Sequence, residues 1–329
     1  MAAIISGNSL GLSNSSLAVL GAQGVLGNAP NGRSGESVYV DSVTGNLVLQ
    51  NGDELLVGRG PDLGLTRTYN SQGLLNDDNG DNWRLGVYKK VAGLTGTVNT
   101  AGSSVRRTDG DGAESVYTYD ATLGVYVNKD GGGAFDTLAF NAASQVWTFT
   151  DGASQVKELY DNANGGRITQ VQDSDGNSLT YTYNAAGLIT QVTDASGEST
   201  FLDYTGTNLT QIRTVMGAVT LTRVRYGYDA SNRLSTVTVD LSPADNSVAD
   251  ANVYVTTYTY DGTSKRVATL AQSDGTRLTF AYVQVGTDFK VASITDALGQ
   301  VTSFGYSGAA ASSTTVNANP AALTTPSAG

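Results

Sequence analysis

The chain has 329 residues, enough for one large or two to three ordinary domains, with 40% hydrophobic but only 15% charged residues. Its formal net charge of −11 disfavours nucleic acid, whose phosphates it would repel. With no histidine and no cysteine, His-dependent triads, His metal sites, disulfides and thiolate chemistry are excluded.

Residues 1–35 are rich in Gly, Ser and Asn with aliphatics dotted through, among them Ile4, Ile5, Leu12 and Leu17. This is too apolar for a plain linker and too glycine-rich for a good helix, so it reads as an arm that needs a surface to lie against. The opening residues lack a positive n-region and do not form a usual signal peptide. No run of ~18 apolar residues occurs, so no membrane span is expected. From Ser37, SVYVDSVTGNLVLQNGDELLVG alternates apolar and polar residues and turns at Thr44-Gly45-Asn46 and Asn51-Gly52, the pattern of paired strands. LGLTRTYN (Leu63–Asn70) continues it, followed by a polar loop, Asn76–Asn82, and Trp83-Arg84-Leu85.

In that loop Asp77, Asn79 and Asp81 offer alternate oxygens, as at the start of a calcium loop. Gly80 stands at the wrong place for such a loop, and Tyr88 stands where a bidentate Glu is needed, so Ca²⁺ competes here with a bare polar turn. No other cofactor is expected. The basic pairs Lys89-Lys90 and Arg106-Arg107 read as solvated strand or turn residues. The Gly-rich stretch Lys129–Gly133 lacks the Gly-Lys-Ser/Thr ending of a phosphate loop and reads as a hairpin end.

Repeats dominate the rest. Tyrosines ending successive modules fall at 160, 183, 204, 228, 260, 282 and 306, a mean interval of about 24 residues. The longest interval holds an insertion, Leu241–Asn252, that reads as a surface loop; Tyr119-Asp120 is an earlier, degenerate member. An aromatic precedes the marker by two residues in Tyr117/Tyr119, Tyr181/Tyr183, Tyr226/Tyr228, Tyr258/Tyr260, Phe280/Tyr282 and Phe304/Tyr306. Period two puts both rings on one strand face, so successive modules stack an aromatic ladder, a packing role that outweighs exposed sugar-stacking rings. Gly-Arg-Ile (166–168), Asn-Arg-Leu (232–234) or Lys-Arg-Val (265–267) then turns the chain into a second strand. Its aliphatics are three apart (Ile168/Val171, Ile189/Val192, Leu234/Val237), which demands either two covered faces or a bulge in each module. Asp173–Gly176, Asp194–Gly197 and Asp296–Gly299 have the Asp-x-x-Gly form of a type I turn with an Asx bond.

These features predict an all-β fold of tandem antiparallel hairpins in a twisted, spiralling sheet, with over ~40% strand and almost no helix. The chain divides into the arm 1–35, a β region 36–120 that leads into the repeats, a hairpin array 121–306 and a low-complexity tail 307–329.

The pattern Tyr-Asp…Gly-Arg-Ile/Leu…Val…Asp-x-x-Gly…Tyr-x-Tyr, recurring from Tyr160 to Tyr306, resembles the YD-repeat (RHS-repeat) family of bacterial surface and toxin-shell proteins. Val43–Gly73 also looks like the region that opens such proteins. The resemblance implies a strand-rich ribbon that spirals into a hollow shell, enclosing a toxin in larger members. This chain has fewer repeats than such shells and no Asp-Pro dipeptide, so the family's self-cleavage at Asp-Pro-x-Gly motifs does not carry over.

Most Asp residues sit in turn positions, which leaves a glycosidase-like carboxylate pair as a minor alternative to a non-enzymatic chain. The expected function is a structural protein of the bacterial exterior or cell surface. A sheet of hairpins has two open ends, so the arm and tail are expected to join copies head-to-tail into a filament or sheath. The alternatives are the N-terminal part of a toxin-encapsulating shell and an adhesin whose partners are surface glycans.

Overall fold

The computed structural model describes residues 2–7, 9–13, 15–18, 29–73, 78–129, 133, 135–306 and the backbone of 314–318. Alternation along the first strands creates a two-faced sheet. It comprises β1 (Ala3–Ile5), β2 (Pro30–Asn31), β3 (Glu36–Asp41), β4 (Leu47–Leu56), β5 (Leu63–Asn70) and β6 (Trp83–Leu85). Val38, Val40, Leu47 and Leu49 face the main core, whereas Tyr39 and Val48 face a smaller cluster with Ala3, Ile5, Leu12 and Ala29. The described part of the arm therefore covers the outer face of this lead-in sheet. β1 runs parallel to β3, pairing Ala3–Ile5 with Tyr39–Asp41 of the same chain.

The second sheet begins with β7 (Lys90–Thr95), β8 (Ser104–Thr108), β9 (Glu114–Asp120) and β10 (Val125–Val127). It continues through β11 (Thr137–Asn141), β12 (Val146–Thr150), β13 (Lys157–Asp161) and β14 (Arg167–Gln172). β15 (Ser178–Tyr183), β16 (Ile189–Thr193), β17 (Ser199–Thr205), β18 (Asn208–Met216), β19 (Val219–Tyr228) and β20 (Leu234–Asp240) follow. β21 (Val253–Tyr260), β22 (Val267–Gln272), β23 (Arg277–Val285), β24 (Asp288–Asp296), β25 (Val301–Tyr306) and β26 (Thr314–Ala318) complete it. Neighbours in sequence pair antiparallel throughout, and the sheet closes into a barrel. The closing contact is between β7 and β14, where Lys90 pairs with Arg167 and the Val91 N–H donates to the Gly166 carbonyl at 2.8 Å. β14 thus shares one edge between β7 at its start and β15 at its end. The fold is 55% strand and 4% helix, an all-β architecture as its sequence pattern predicts. The difference lies at the start of the repeat sheet, which folds back on itself where an open end was expected.

A bulge faces six of the seven marker tyrosines, which resolves the odd aliphatic spacing. Opposite Tyr160, Tyr183, Tyr204, Tyr228, Tyr260 and Tyr282 the register shifts, passing over Thr169, Thr190, Thr210, Ser235, Ala268 and Ala292 respectively. The extra residue returns the second aliphatic to the face of the first, so Ile189 and Val192, or Val267 and Leu270, are both buried. Several bulge hydroxyls satisfy the strand opposite: Thr169, Thr210 and Ser235 donate to the Leu159, Asp203 and Gly227 carbonyls. The Asp-x-x-Gly segments form the hairpin turns. Asp173 Oδ1 accepts from the Asp175 and Asn177 N–H groups, and Gly176 takes φ 88°, a conformation that favours glycine.

Successive modules are locked by their marker tyrosines. The hydroxyls of Tyr183, Tyr260, Tyr282 and Tyr306 donate to the carbonyls of Ile168, Leu234, Val267 and Val291, each the first aliphatic of an earlier module. The basic residue just before that aliphatic lies over the same ring: Arg167 on Tyr183 at 4.1 Å, Arg233 on Tyr260 at 4.5 Å and Lys290 on Tyr306 at 5.0 Å.

Candidate functional site

The feature that sets this molecule apart from a bare ribbon is the seam where the lead-in sheet lies against the repeats. Both contribute to one hydrophobic core running from Val38 to Phe304. At its centre Arg67 is completely enclosed. It forms ion pairs with Glu36 at 3.3 Å and with Asp53, and donates to the Tyr258 hydroxyl at 3.1 Å. Tyr258 in turn donates to Glu36 at 2.9 Å, and Tyr226 donates to Asp53 at 2.5 Å. The carboxylates come from β3 and the β4 bulge and the tyrosines from β19 and β21, so the cluster bolts the two sheets together. Burial pushes the Glu36 and Asp53 carboxyls above their usual range, against the pull of Arg67. Burial also opposes the Arg67 charge, but Asp53, Tyr258 and Glu36 outweigh it and hold that guanidinium well above its ordinary value.

Further contacts run along the seam on both sides of this cluster. Tyr88 and Tyr204 share a hydroxyl bond of 2.9 Å, and Trp83 Nε1 donates to the Tyr260 hydroxyl at 3.0 Å. The Tyr69 hydroxyl donates to the Lys265 carbonyl and accepts from the Val267 N–H, each at 2.9 Å. Val291 N–H donates to the Gly45 carbonyl at 3.1 Å, extending the contact to β24.

The ladder residues take their places on this inner face. Tyr117, Tyr181, Tyr226, Tyr258, Phe280 and Phe304 are buried, and Tyr119, Tyr183, Tyr228, Tyr260, Tyr282 and Tyr306 pack half-buried against the same core. Of the calcium candidates, Asp77 lies outside the described residues. Asp81 is buried, with Oδ1 accepting from the Trp83 N–H and Oδ2 from the Leu234 N–H, so its carboxylate ties the loop to β20. Asn79 reaches Asn208 and the Asn232 carbonyl. Among the described residues no group of three or more Asp or Glu side chains is arranged to hold a metal ion.

The basic pairs need correction. Lys90 and Arg106 are exposed, but Arg107 is buried and Lys89 mostly so, inside the barrel wall rather than solvated. Both bind Glu158, each at 2.6 Å, and both reach Asp109 at 3.2–3.3 Å. Burial pushes the Glu158 carboxyl up, but Arg107 and Lys89 outweigh it and leave it below the usual range. The sequence signal for both clusters is phase. Arg67 alternates with Leu63, Leu65 and Tyr69, and Glu36 with Val38 and Val40, all pointing inward.

Within this geometry, residues 160–199, spanning the Tyr160 marker to the start of β17, match the RHS Repeat family model. This segment is RHS repeat. The bulge recurs after it as far as Tyr282, and the Asx turn as far as Asp296. Several solved structures are similar in part. The crystal structure of TcdB2-TccC3-TEV is 12% identical with a TM-score of 0.32, covering 79% of this chain and 16% of its own. The Photorhabdus luminescens Tc holotoxin pore is 10% identical with a TM-score of 0.32, covering 86% and 20%. A porin-like protein from Bacteroides uniformis is 13% identical with a TM-score of 0.26, covering 83% and 98%. The chain spans a fifth or less of the toxin structures it matches. No curated protein matches it in sequence. No helix among the described residues is long and apolar enough to cross a membrane.

Proposed function

We propose that this chain is a non-enzymatic structural β scaffold of the bacterial exterior, in which the lead-in sheet plugs the opening of an RHS shell. The observation that supports it is the seam. The aromatic face that a hollow ribbon would turn toward its cavity is here occupied by β3–β6, bolted through Arg67, Glu36, Asp53, Tyr226 and Tyr258. The carboxylates of this cluster are bonded to the cation and hydroxyls around them, an arrangement that holds two sheets together and presents no free acid–base pair. The ladder tyrosines serve the same packing and are not offered to glycans.

The head-to-tail filament is the rival within the same class. Strand exchange by the arm would first require breaking the pairing of β1 with its own β3, and the tail strand β26 pairs with its own β25. A self-contained plug is therefore the better reading. Light scattering at rising concentration, with negative-stain microscopy of the same sample, tests it. Discrete particles of one chain's mass are expected; filaments would restore the polymer and overturn the self-contained plug.

A further inference from the structure

One stretch of the seam is lined by hydrocarbon and left uncovered. Between β4 and β5 the loop 57–62, VGRGPD, lies across the turns of two successive hairpins. Its glycines permit the approach: a Cβ on Gly58 would collide with the Asp194 carboxylate, and one on Gly60, at φ 99°, with the Asn177 side chain. Between this loop and β15–β18 runs a groove of about 170 Å³. Leu63, Leu179 and Val192 are buried in its wall, while Val57 and Met216 at its edge are 75% and 53% exposed. Small-molecule sites are larger, ~300–1,000 Å³; this groove has room for about one large side chain. Such an apolar slot is how an interface seats an anchor residue.

The rim says what should flank that anchor. Asp194 and Glu198 line the groove, and Asp62 stands exposed between Pro61 and Leu63 of its wall. Burial opposes the Asp194 charge, but hydrogen bonds from Ser196 and the Glu198 N–H outweigh it and hold that carboxyl below its usual range. The Asp62 and Glu198 carboxylates make no hydrogen bond or ion pair with any described residue. Positive charge is scarce here. Strands β15–β17 carry no Lys or Arg, and the arginines of β18 and β19 are taken: Arg213 by Asp203, Arg223 by Glu54 and Arg225 by Asp240. Arg59 is the one cation of the loop, against three carboxylates. The groove is therefore apolar inside and acidic at its edge.

We propose that this groove docks a basic segment of a partner protein, with one Leu or Ile side chain seated against Val57, Val192 and Met216. Lys or Arg on either side of that anchor would face Asp62, Asp194 and Glu198. Apolar burial then supplies the affinity, and the charges choose the partner. The site gives the scaffold a means of holding a cationic protein. It depends on the loop and the hairpins beneath it, not on a shell-plug role, so particle mass and peptide binding test the two readings separately.

The assay is fluorescence anisotropy of the purified chain with a labelled nine-residue peptide, a central Leu flanked by glycines and then by lysines. Its companions carry Ser for the Leu, Ser for every Lys, or Glu for every Lys. The Leu–Lys peptide should bind in about 0.15 M salt, where distant charges are screened. The Ser-centred peptide should bind about tenfold more weakly, as loss of one buried Leu predicts, and the neutral and acidic peptides more weakly still. Met216→Ser and Glu198→Lys, both at exposed positions, should each weaken binding about fivefold while the melting temperature stays near the parent's. Asp288→Lys makes the same charge change on the β23–β24 hairpin, outside the groove, and should matter less than about twofold. No binding of the Leu–Lys peptide into the millimolar range would overturn the assignment. So would equal binding of its Ser-centred, neutral or acidic companions, undiminished binding in Met216→Ser, or a loss in Asp288→Lys as large as in Glu198→Lys.

Discussion

Tyr260 joins three features of the fold, and truncating it in steps separates their weights. Its ring is half-buried in the core with Arg233 stacked at 4.5 Å; its hydroxyl donates to the Leu234 carbonyl at 2.7 Å and accepts from Trp83 Nε1 at 3.0 Å. Tyr260→Phe keeps the ring but leaves the Trp83 N–H unpaired at the seam, which costs about 1–3 kcal/mol. Tyr306→Phe is the control. Its hydroxyl donates to the Val291 carbonyl and receives no bond from the lead-in among the described residues, so only an ordinary hydrogen bond of about 0.5–1.5 kcal/mol is lost. Tyr260→Ala removes the ring as well and should cost about 3–5 kcal/mol. Urea unfolding midpoints at constant slope give the three values, and Trp83 fluorescence reports whether the seam has changed. The expected order is Tyr306→Phe, then Tyr260→Phe, then Tyr260→Ala. If Tyr260→Phe costs no more than Tyr306→Phe, the bond across the seam carries no stability and the plug is held by apolar contact alone.

Arg67→Met leaves Glu36 and Asp53 buried without their cation and should destabilise by about 3–5 kcal/mol, with early proteolytic cleavage in the lead-in. Because burial raises both carboxyls, the folded chain takes up their protons more readily than the unfolded chain; that contribution is fully present below the unfolded value near ~4 and is lost as pH rises through the raised folded values. The variant should therefore regain stability on acidification more steeply than the parent, and a flat difference between them across pH would refute the cluster's role. Glu158 has the opposite sign: lowered by Arg107 and Lys89, it stabilises above its unfolded value and loses that on acidification, so Glu158→Gln should flatten the acid limb of the stability curve. Gly176→Ala, at φ 88° with open space around the new Cβ, should cost about 1–2 kcal/mol from backbone strain alone. Gly64→Ala, also in open space but within a strand, should gain about 0.5–1 kcal/mol, and equal effects from the two would show that strain is not what the Asp-x-x-Gly glycine relieves.

What could be read in advance follows the range of each interaction. The hairpins, their Asp-x-x-Gly turns and the shared face of Tyr181 and Tyr183 rest on residues within about one strand of each other, and periodicity exposes them. The spacing of Ile189 and Val192 posed the choice between a bulge and two covered faces, and the small hydroxyl residue between them, Thr190, was the unread hint. The pairing of Lys90 with Arg167 joins backbones 77 positions apart and leaves no mark on either side chain. Arg67 and Glu36 were legible in principle, since each stands in phase with buried neighbours where a solvated charge has no place. A charged strand residue is ordinarily solvated, and that general rule hides Arg67 and Glu36 as it hides the burial of Lys89 and Arg107.

The two kinds of contact give the molecule its cooperativity. Marker tyrosines tie each module to an earlier neighbour, Tyr282 to Val267 and Tyr306 to Val291, and such nearest-neighbour coupling alone lets a repeat array fray from an end. The lead-in sheet adds contacts that skip modules: Tyr88 reaches Tyr204, Asp53 reaches Tyr226, Trp83 reaches Tyr260 and Gly45 reaches Val291. Losing any one of these modules exposes part of a surface that the others also cover, so fraying of one is penalised at several. The modules touching the plug should therefore unfold together with it, as should the β8–β9 turn, where Asn70 donates to the Asp111 carbonyl at 3.1 Å, while β10–β12 remain free to open as a separate unit. Hydrogen exchange would show this as one common protection level across β19–β24 and the lead-in, distinct from that of β10–β12; a graded decline from module to module would mean that the plug follows the ribbon and does not hold it.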